Sequence, residues 1–337
     1  MSVWCQRVDF GPAWSIGRQG LRRRARAISL ACGRFGPDVV YAHQNMPAAA
    51  AILARPGVPI VADFHALPSI EWMALAGGSR PPESLGHAAA GVRAAAAEAF
   101  VARGADAVIA AGESLGLAVM RRYRLSEPPA VVPNGVDRHL LDSPPAKTSP
   151  YEGLEGDRHA LAILPAAATP ANARALSFLC AAAEELSGGS PTVAIHVLGS
   201  ASGPSAPLLR YHGLAPDLVP WIEHADVCLL PYPREAALYG GAKNKTLEYL
   251  ARGRALVTTP EGLWGVEEAA GLDGVHVVSH EPADFAAAVR AAAADGAKRL
   301  DPTRELIRNG FRWDVLAARV AGTLRALVEL PAPHVNP

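Results

Sequence analysis

Short apolar runs alternate with longer alanine-rich segments along the whole chain. In the first half, four runs have the length and composition of buried strands and begin at Asp38, Val58, Ala107 and Ala130. Helical patterns lie between them, near residues 46–54, 84–103 and 113–122. The second half repeats this rhythm, with strands predicted at residues 160–164, 193–198, 227–230, 255–258 and 275–278 and a helix over 171–186. The alternation is typical of βαβ units and predicts an α/β fold whose parallel sheets are covered by helices on both faces.

The pattern changes after Val136. Residues 141–158 are rich in proline, serine and glycine and lack apolar periodicity, which predicts a linker. We therefore place a first domain at residues 1–140 and a second at 159–310. Residues 311–330 contain a last helical pattern, which predicts a closing helix that packs back across a domain.

Composition narrows the class of protein. Of the 337 residues, 50% are apolar and 19% charged, which supplies enough apolar material for two folded domains. Lys and Arg number 32 and Asp and Glu also number 32, so the chain has no broad positive field and we expect no nucleic acid partner. The four cysteines form no closely spaced pair, which fits a reducing cytoplasm. Without a signal-peptide pattern or a run of about eighteen apolar residues, a soluble cytoplasmic protein is expected.

The loop after the strand at Val227 is the richest in candidate chemistry. In open α/β sheets, ligands bind beyond the carboxyl ends of the strands. Here the glycine pair Gly240 and Gly241 permits close approach of a ligand to the backbone, and Lys243 and Lys245 stand at the start of a helix. Cations are disfavoured at the positive end of a helix dipole, so two lysines there indicate a bound anion such as a diphosphate.

Glu248 lies three residues after Lys245 and therefore shares its helical face. Its carboxylate can accept hydrogen bonds from both hydroxyls of a ribose. A solvated salt bridge between Lys245 and Glu248 explains the same spacing, and the spacing alone leaves both interpretations open. Gly253 is predicted to end the helix in the left-handed conformation.

The run GGAKNKTLEYLARGRALVTTPEG resembles the donor-site segment of the retaining family-four glycosyltransferases, also called glycosyl transferases group 1, which have the GT-B fold. In that family, Gly-Gly-x-Arg/Lys-x-Lys-x-x-Glu-x-x-Ala-x-Gly precedes a strand and a Thr-Pro-x-Gly turn. The runs ADAVIAAGESLGLAVMRRY and VVPNGVD resemble its end-of-domain helix and interdomain turn. The resemblance covers roughly residues 37–330 and implies two Rossmann-like domains that face each other across a cleft.

The resemblance also implies a first domain shortened at its N-terminus. Members of the family open with a strand and a glycine-rich loop, and the chain begins too late for both. We expect residues 3–10 to form a replacement strand and residues 11–17 a substitute loop, because the first are β-prone and the second rich in turn formers. The alternatives are a second copy of the chain that covers the sheet edge, and so a homodimer, or a gene product that is longer at its N-terminus.

By resemblance, Glu248 binds the ribose of a nucleotide sugar, and Lys243 and Lys245 face its diphosphate or sugar. The backbone at Gly240, Gly241 and Ala242 lines the sugar pocket. The remaining donor-side candidates are Thr259 and Pro260, bordering the nucleotide, and Asn172 and Arg174, near the phosphates. Two features depart from the family: Gly240 stands where a second glutamate is common, and a Pro-x-Asn turn replaces an Arg and Lys pair after the first strand.

On the acceptor side, His65 ends a strand and matches the family's histidine that faces the transferred sugar. A histidine that bonds a neighbouring loop is the alternative. Asp63 is a nearby acid, and His43 ends an adjacent strand. Glu113 begins a helix, where it faces the cleft or only favours the dipole. The predicted catalytic residues are His65, Lys245 and Glu248.

The predicted function is transfer of a sugar from a nucleotide-diphosphate sugar to a small-molecule, glycan or lipid-linked acceptor. No metal or cofactor is expected, because lysines and a helix N-terminus can stabilise the leaving diphosphate. The resemblance implies retention at the anomeric carbon. A sugar-nucleotide epimerase and a non-catalytic nucleotide-sugar-binding or partner subunit are the alternatives. One predicted helix is rich in arginine, with Arg18, Arg22, Arg23, Arg24 and Arg26. This pattern is typical either of a solvent-exposed face or of a helix that contacts an anionic membrane.

Overall fold

The computed structural model describes residues 18–165, 170–232, 234 and 243–329. The strand and loop predicted at residues 3–17 lie outside the described residues, as do Gly240, Gly241 and Ala242. The chain divides into two compact units, residues 1–132 with 317–337 and residues 133–316. Within the described ranges, no helix combines the length and the apolar character needed to cross a bilayer.

The first unit contains a parallel four-stranded sheet in the order β1-β2-β3-β4. Its strands are β1 (Val40–His43), β2 (Ile60–Phe64), β3 (Ala107–Ala110) and β4 (Ala130–Val131). Its helices are α1 (Arg18–Phe35), α2 (Asn45–Ala54), α3 (Pro68–Gly78), α4 (Glu83–Gly104) and α5 (Glu113–Tyr123). All four predicted strands are present, whereas α3 was not predicted.

The core of the first unit is built on β2, which is buried at all five positions. Helix α2 contributes Ala48, Ala49, Ala50 and Ala51, all of which are buried. Because alanine has no side chain beyond Cβ, α2 lies close against the rest of this core. The polar residues of β1 and β2 lie where the strands end, beyond this apolar layer.

The second unit contains a parallel six-stranded sheet in the order β10-β9-β8-β5-β6-β7. Its strands are β5 (Arg158–Ile163), β6 (Val193–Leu198), β7 (Leu209–Gly213), β8 (Val227–Leu230), β9 (Leu256–Thr258) and β10 (Val275–Val277). Its helices are α6 (Arg138–Asp142), α7 (Pro170–Leu186), α8 (Val219–His224), α9 (Asn244–Ala251), α10 (Pro282–Ala294) and α11 (Asp301–Gly310), with 3-10 turns at Pro260–Leu263 and Glu267–Gly271. Helix α12 (Trp313–Glu329) follows.

Strand β5 shows why this sheet carries a core on each face. Leu161 and Ile163 pack into the cluster that contains α9, while Ala160 and Ala162 pack into the cluster that contains α7 and α10. Alternate residues of a strand point to opposite faces, so a strand that is apolar at every position must be covered on both. The prediction of a doubly covered parallel sheet is confirmed.

Residues 141–158, for which the sequence predicts a linker, lie within the second unit. Tyr151 is buried there, and its hydroxyl donates a hydrogen bond to the carbonyl oxygen of Trp221 at 2.7 Å. Strand β7 is absent from the sequence prediction because most of its residues are polar and only half-buried.

The strand order of the second sheet reverses between β5 and β8. The chain leaves β5 for β6 on one side, and it leaves β8 for β9 on the other. At such a switch point the loops diverge and open a crevice beyond the carboxyl ends of the two strands, which is where ligands bind in doubly wound sheets. The loops after β5 and β8 are therefore the first place to look for a site.

Candidate active site

A side-chain network joins the loops that leave the switch point. Tyr232 follows the end of β8, and its hydroxyl donates to Asn172 Oδ1 at 3.3 Å. Asn172, near the start of α7, donates from Nδ2 to the carbonyl oxygen of Pro165 at 3.1 Å. Lys245, in the first turn of α9, donates from Nζ to the same Asn172 Oδ1 at 3.2 Å. Three segments distant in sequence thus meet at Asn172.

Positive charge is concentrated in this network. The Nζ atoms of Lys243 and Lys245 lie 5.5 and 5.7 Å from the centroid of the Tyr232 ring, within the range of cation–π attraction. Lys243 is the N-cap residue of α9, so both ammonium groups add to the positive end of that helix dipole. An arrangement of this kind favours an anion.

Lys245 and Glu248 share the inner part of α9. Burial lowers the pKa of Lys245 to about 8, with Glu248 opposing this change and Lys243 adding to it. Burial raises the pKa of Glu248, and the charge of Lys245 opposes that rise. Within residues 243–329 the structure contains no ion pair between the two side chains, and Lys245 donates to Asn172. The salt-bridge interpretation of their spacing is not what the structure shows.

The packing of α9 holds these residues at the switch point. Tyr249 is fully buried, and its hydroxyl oxygen accepts a hydrogen bond from the backbone N–H of Ile163 at 2.9 Å. Leu247 and Leu250 are fully buried in the same core. Gly253 has a φ of +66°, which confirms the predicted left-handed end of the helix.

The turn that follows β9 is hydrogen-bonded to the loop after β8 and to helix α9. Thr259 Oγ1 donates to the carbonyl oxygen of Tyr232 at 2.5 Å, and Thr246 Oγ1 donates to that of Gly262 at 2.6 Å. A Cβ at Gly262 would lie 1.9 Å from Thr258 Oγ1, so only glycine fits there. Pro260 is exposed on this turn.

Sequence reasoning did not identify Tyr232, Glu261 or His280. Glu261 is buried on the turn, and its Oε2 lies 2.7 Å from Nε2 of His280. Arg234 donates from Nε to His280 Nδ1 at 3.1 Å. The aromatic residue in Pro-Tyr-Pro directly after a buried strand was the available signal for Tyr232. By contrast, Arg174 is half-buried in α7 and takes no part in the network around Asn172.

The polar residues of the first unit gather around Asp63. The parallel register pairs His43 with Asp63, and alternation along each strand places Tyr41 and His65 on the same face. His65 Nε2 lies 2.9 Å and His43 Nδ1 3.2 Å from Asp63 Oδ2. The Tyr41 hydroxyl donates to the same oxygen. Sequence reasoning identified His43, Asp63 and His65 but not Tyr41.

Asp63 is 4% exposed and ionised. Burial by itself would raise its pKa, but hydrogen bonds from His43, His65 and Tyr41 hold that pKa well below the usual range. Burial, followed by the charge of Asp63, raises the pKa of Tyr41. An ionised carboxylate only accepts hydrogen bonds, so His65 carries a proton on Nε2 and donates it to Asp63.

The chain beyond His65 is anchored by a buried glutamate. Glu98 on α4 accepts hydrogen bonds from the backbone N–H of Ser69 at 2.8 Å and from Ser69 Oγ at 2.6 Å. The Tyr123 hydroxyl donates to the same carboxylate. Glu98 therefore fixes Ser69 in the first turn of α3, four residues after His65. Glu113 is exposed in the first turn of α5.

Two family models match the chain, Glycosyltransferase Family 4 over residues 3–140 and Glycosyl transferases group 1 over residues 162–295. The chain therefore belongs to the family-four glycosyltransferases of group 1. It is a glycosyltransferase with two Rossmann-like units of the GT-B type, and the prediction of that class is confirmed.

Solved structures with the same fold share little sequence with this chain. A glycosyltransferase from Rickettsia africae ESF-5 superposes with a TM-score of 0.68 at 14% identity, over 96% of this chain and 85% of that one. Sucrose-phosphate synthase (tll1590) from Thermosynechococcus elongatus gives 0.69 at 16% identity, over 94% and 81%. Anabaena Alr3699/HepE in complex with UDP and glucose gives 0.63 at 16% identity, over 90% and 81%. A search of the curated proteins finds no match.

Proposed function

We propose that the protein transfers a sugar from a nucleoside diphosphate sugar to an acceptor, with retention at the anomeric carbon and without a metal in the transfer step. The observation that carries this proposal is the convergence of Lys243 and Lys245 on Tyr232 and Asn172 at the switch point. A related fold was solved with UDP and glucose, which supports the same class of donor here.

The donor diphosphate is held by the two lysines and by the N-terminus of α9. Negative charge grows on the leaving diphosphate as the glycosidic bond breaks, so groups that favour this charge lower the barrier. Because Lys245 is held by Asn172 before the donor arrives, little reorganisation is needed during the reaction. A fixed cluster of ammonium groups can supply this stabilisation by itself.

Glu248 is assigned to the ribose and Thr259 to the border of the nucleotide. A carboxylate accepts two hydrogen bonds from neighbouring hydroxyls, and its partial burial strengthens them. Thr259 is locked to the backbone of Tyr232, so the turn that carries it moves little relative to β8.

His65 is assigned to the sugar that is transferred, with Asp63 as its positioning residue. Asp63 fixes the proton of His65 on Nε2, so the imidazole keeps one tautomer. In retaining transfer of this type, the leaving phosphate accepts the proton of the acceptor on the same face. The chain then needs no general base.

Calorimetry with UDP, GDP, ADP and TDP tests the donor assignment. One nucleotide should bind, and Lys245→Ala should weaken it by about ten- to a hundredfold, the usual effect of a hydrogen-bonded charge. Lys298→Ala is the matched control, since Lys298 is exposed and pairs with Asp295. Failure of all four nucleotides to bind would exclude this donor class. Slow hydrolysis of the matching nucleotide sugar then tests for catalysis.

The acceptor is assigned to the first unit. The acceptor classes include a lipid-linked acceptor at the cytoplasmic face of a membrane. Helix α1 buries Ala25 and Ile28 and exposes Arg22, Arg23 and Arg26. A basic exposed face of this kind suits an anionic bilayer. Sedimentation with vesicles of anionic and of neutral lipid tests this contact, and equal recovery in both pellets excludes it.

A further inference from the structure

The cluster around Asp63 has the composition of a metal site as well as of a hydrogen-bonded group. One ligand atom from each of His43, Asp63 and His65 lies within 4.8 Å of the other two. They come from the ends of two adjacent strands, whose parallel register brings His43 beside Asp63. Two imidazoles and one carboxylate are a common ligand set for late first-row divalent metals.

The separations of these atoms suit a single cation. With ligand atoms about 2.0–2.1 Å from zinc, two of them lie about 2.9 Å apart at a right angle and about 3.4 Å apart at the tetrahedral angle. The two separations in the cluster that involve Asp63 are 2.9 and 3.2 Å. A cation bound there would replace the hydrogen bonds between the histidines and Asp63 without moving the strands.

The charge and contacts of Asp63 also favour a cation. Three groups converge on Oδ2, whereas Oδ1 is buried and has no hydrogen-bond partner among the described residues. Buried charges in proteins are paired or coordinate metals. The Tyr41 hydroxyl bonds the same carboxylate, as groups beyond the ligands commonly do in metal sites.

Access from solvent is open at one side. The side chain of His43 is 56% exposed and that of His65 22%, while Asp63 lies beneath them. A cation can therefore reach the three ligands, and a fourth position remains for water or a small ligand. We propose that His43, Asp63 and His65 form a binding site for a zinc-type divalent cation.

This proposal goes beyond the proposed function and does not rest on it. Binding itself is measurable without any substrate.

The test is calorimetric titration of zinc chloride into the untagged full chain after removal of metal with EDTA. One equivalent should bind, and magnesium chloride should give no binding. His43→Ala, His65→Ala and Asp63→Asn should each weaken zinc affinity by about a hundredfold or more. Tyr41→Phe, which changes only an outer contact, should weaken it by about tenfold. Asp63→Asn keeps a hydrogen-bond acceptor beside the histidines and therefore separates metal binding from simple hydrogen bonding.

His87→Gln is the matched control, because His87 is also partly buried and faces a carboxylate, that of Glu83 at 4.0 Å. It should leave zinc affinity unchanged. Circular dichroism in EDTA shows whether each variant is folded. If a ligand variant does not fold, mass spectrometry after diethylpyrocarbonate treatment of the wild-type chain replaces it, and zinc should protect His43 and His65. The proposal is overturned if zinc does not bind saturably or if its affinity is unchanged in any folded ligand variant. It is also overturned if zinc leaves the two histidines unprotected.

Discussion

Lys245 Nζ donates to Asn172 Oδ1 at 3.2 Å, which joins the first turn of α9 to the first turn of α7 across 73 residues of sequence. The bond holds an ammonium group at the switch point, in a partly buried position where its pKa falls to about 8. The affinity of the proposed site for a diphosphate should therefore depend on pH near this value.

The first prediction concerns that pH dependence. As the pH rises from 7 to 9, Lys245 passes through its lowered pKa and loses its proton, so nucleoside diphosphate affinity should fall by up to about tenfold. Lys245→Arg keeps its charge over this range and should flatten the profile. Calorimetry at five pH values measures both. Parallel profiles for the wild type and Lys245→Arg would assign the effect to another group.

The second prediction concerns Glu248. Glu248→Ala should weaken nucleoside diphosphate binding by about 1–3 kcal/mol, because it removes a hydrogen-bonded carboxylate. Glu305→Ala, on the exposed side of α11, should leave affinity unchanged. Deoxyribose and ribose forms of the same nucleotide should bind equally to Glu248→Ala. If Glu248→Ala still bound the ribose form more tightly, groups other than Glu248 would bind the ribose hydroxyls.

The third prediction concerns His65. His65→Ala should reduce turnover of the nucleotide sugar by far more than it reduces nucleotide affinity, because its partner is the reacting sugar. Asp63→Asn should lower kcat with little change in KM, since it disturbs the tautomer of His65 but not the donor site. Kinetics in the presence of EDTA keep this measurement separate from zinc binding. Unaltered kcat in His65→Ala would make the residue structural.

The fourth prediction concerns the support of α9. Tyr249→Phe removes the acceptor of the Ile163 N–H in a fully buried position and should lower the free energy of unfolding by about 1–3 kcal/mol. Tyr211→Phe is the control, because its hydroxyl bonds Pro204 at the surface. Urea unfolding of the two variants compares them. Equal losses would mean that the buried bond contributes no more than the exposed one.

The fifth prediction concerns a row of three histidines on β5, β6 and β7. His196 is fully buried, with Nε2 3.0 Å from His159 Nδ1 and Nδ1 2.9 Å from His212 Nε2. Burial, with the charges of His159, His212 and Arg210 adding to it, lowers the pKa of His196 to about 3. Burial also lowers the pKa of His159 and of His212.

The sign of the effect follows from proton binding. Between about pH 6.5 and 3, the unfolded chain binds a proton at His196 that the folded chain does not, so the free energy of unfolding falls as the pH falls. The loss at pH 5 relative to pH 7 should be about 2 kcal/mol from this residue. His196→Gln should reduce the slope of stability against pH, and the exposed His139→Gln should not. Urea unfolding at several pH values distinguishes them.

Local pattern determined most of the elements. Apolar runs and helical periodicity along the chain correctly placed the strands of the first sheet and five of the six in the second. The sequence prediction missed α3, α6, α10, α11 and β7. Strand β7 has mixed polarity because it is only partly covered. Periodicity reports burial, so it is weakest where burial is incomplete.

The contacts within the sites were decided by tertiary structure. The sequence marked His43, Asp63 and His65 as strand-end residues, but only the parallel register placed the two histidines on one oxygen of Asp63. It marked Lys245 and Glu248 by their helical spacing, but strand order alone brought Asn172 and Tyr232 to Lys245. Helical and strand periods are properties of neighbouring residues, whereas a hydrogen bond across 73 residues depends on which strands pair and how the loops between them pack.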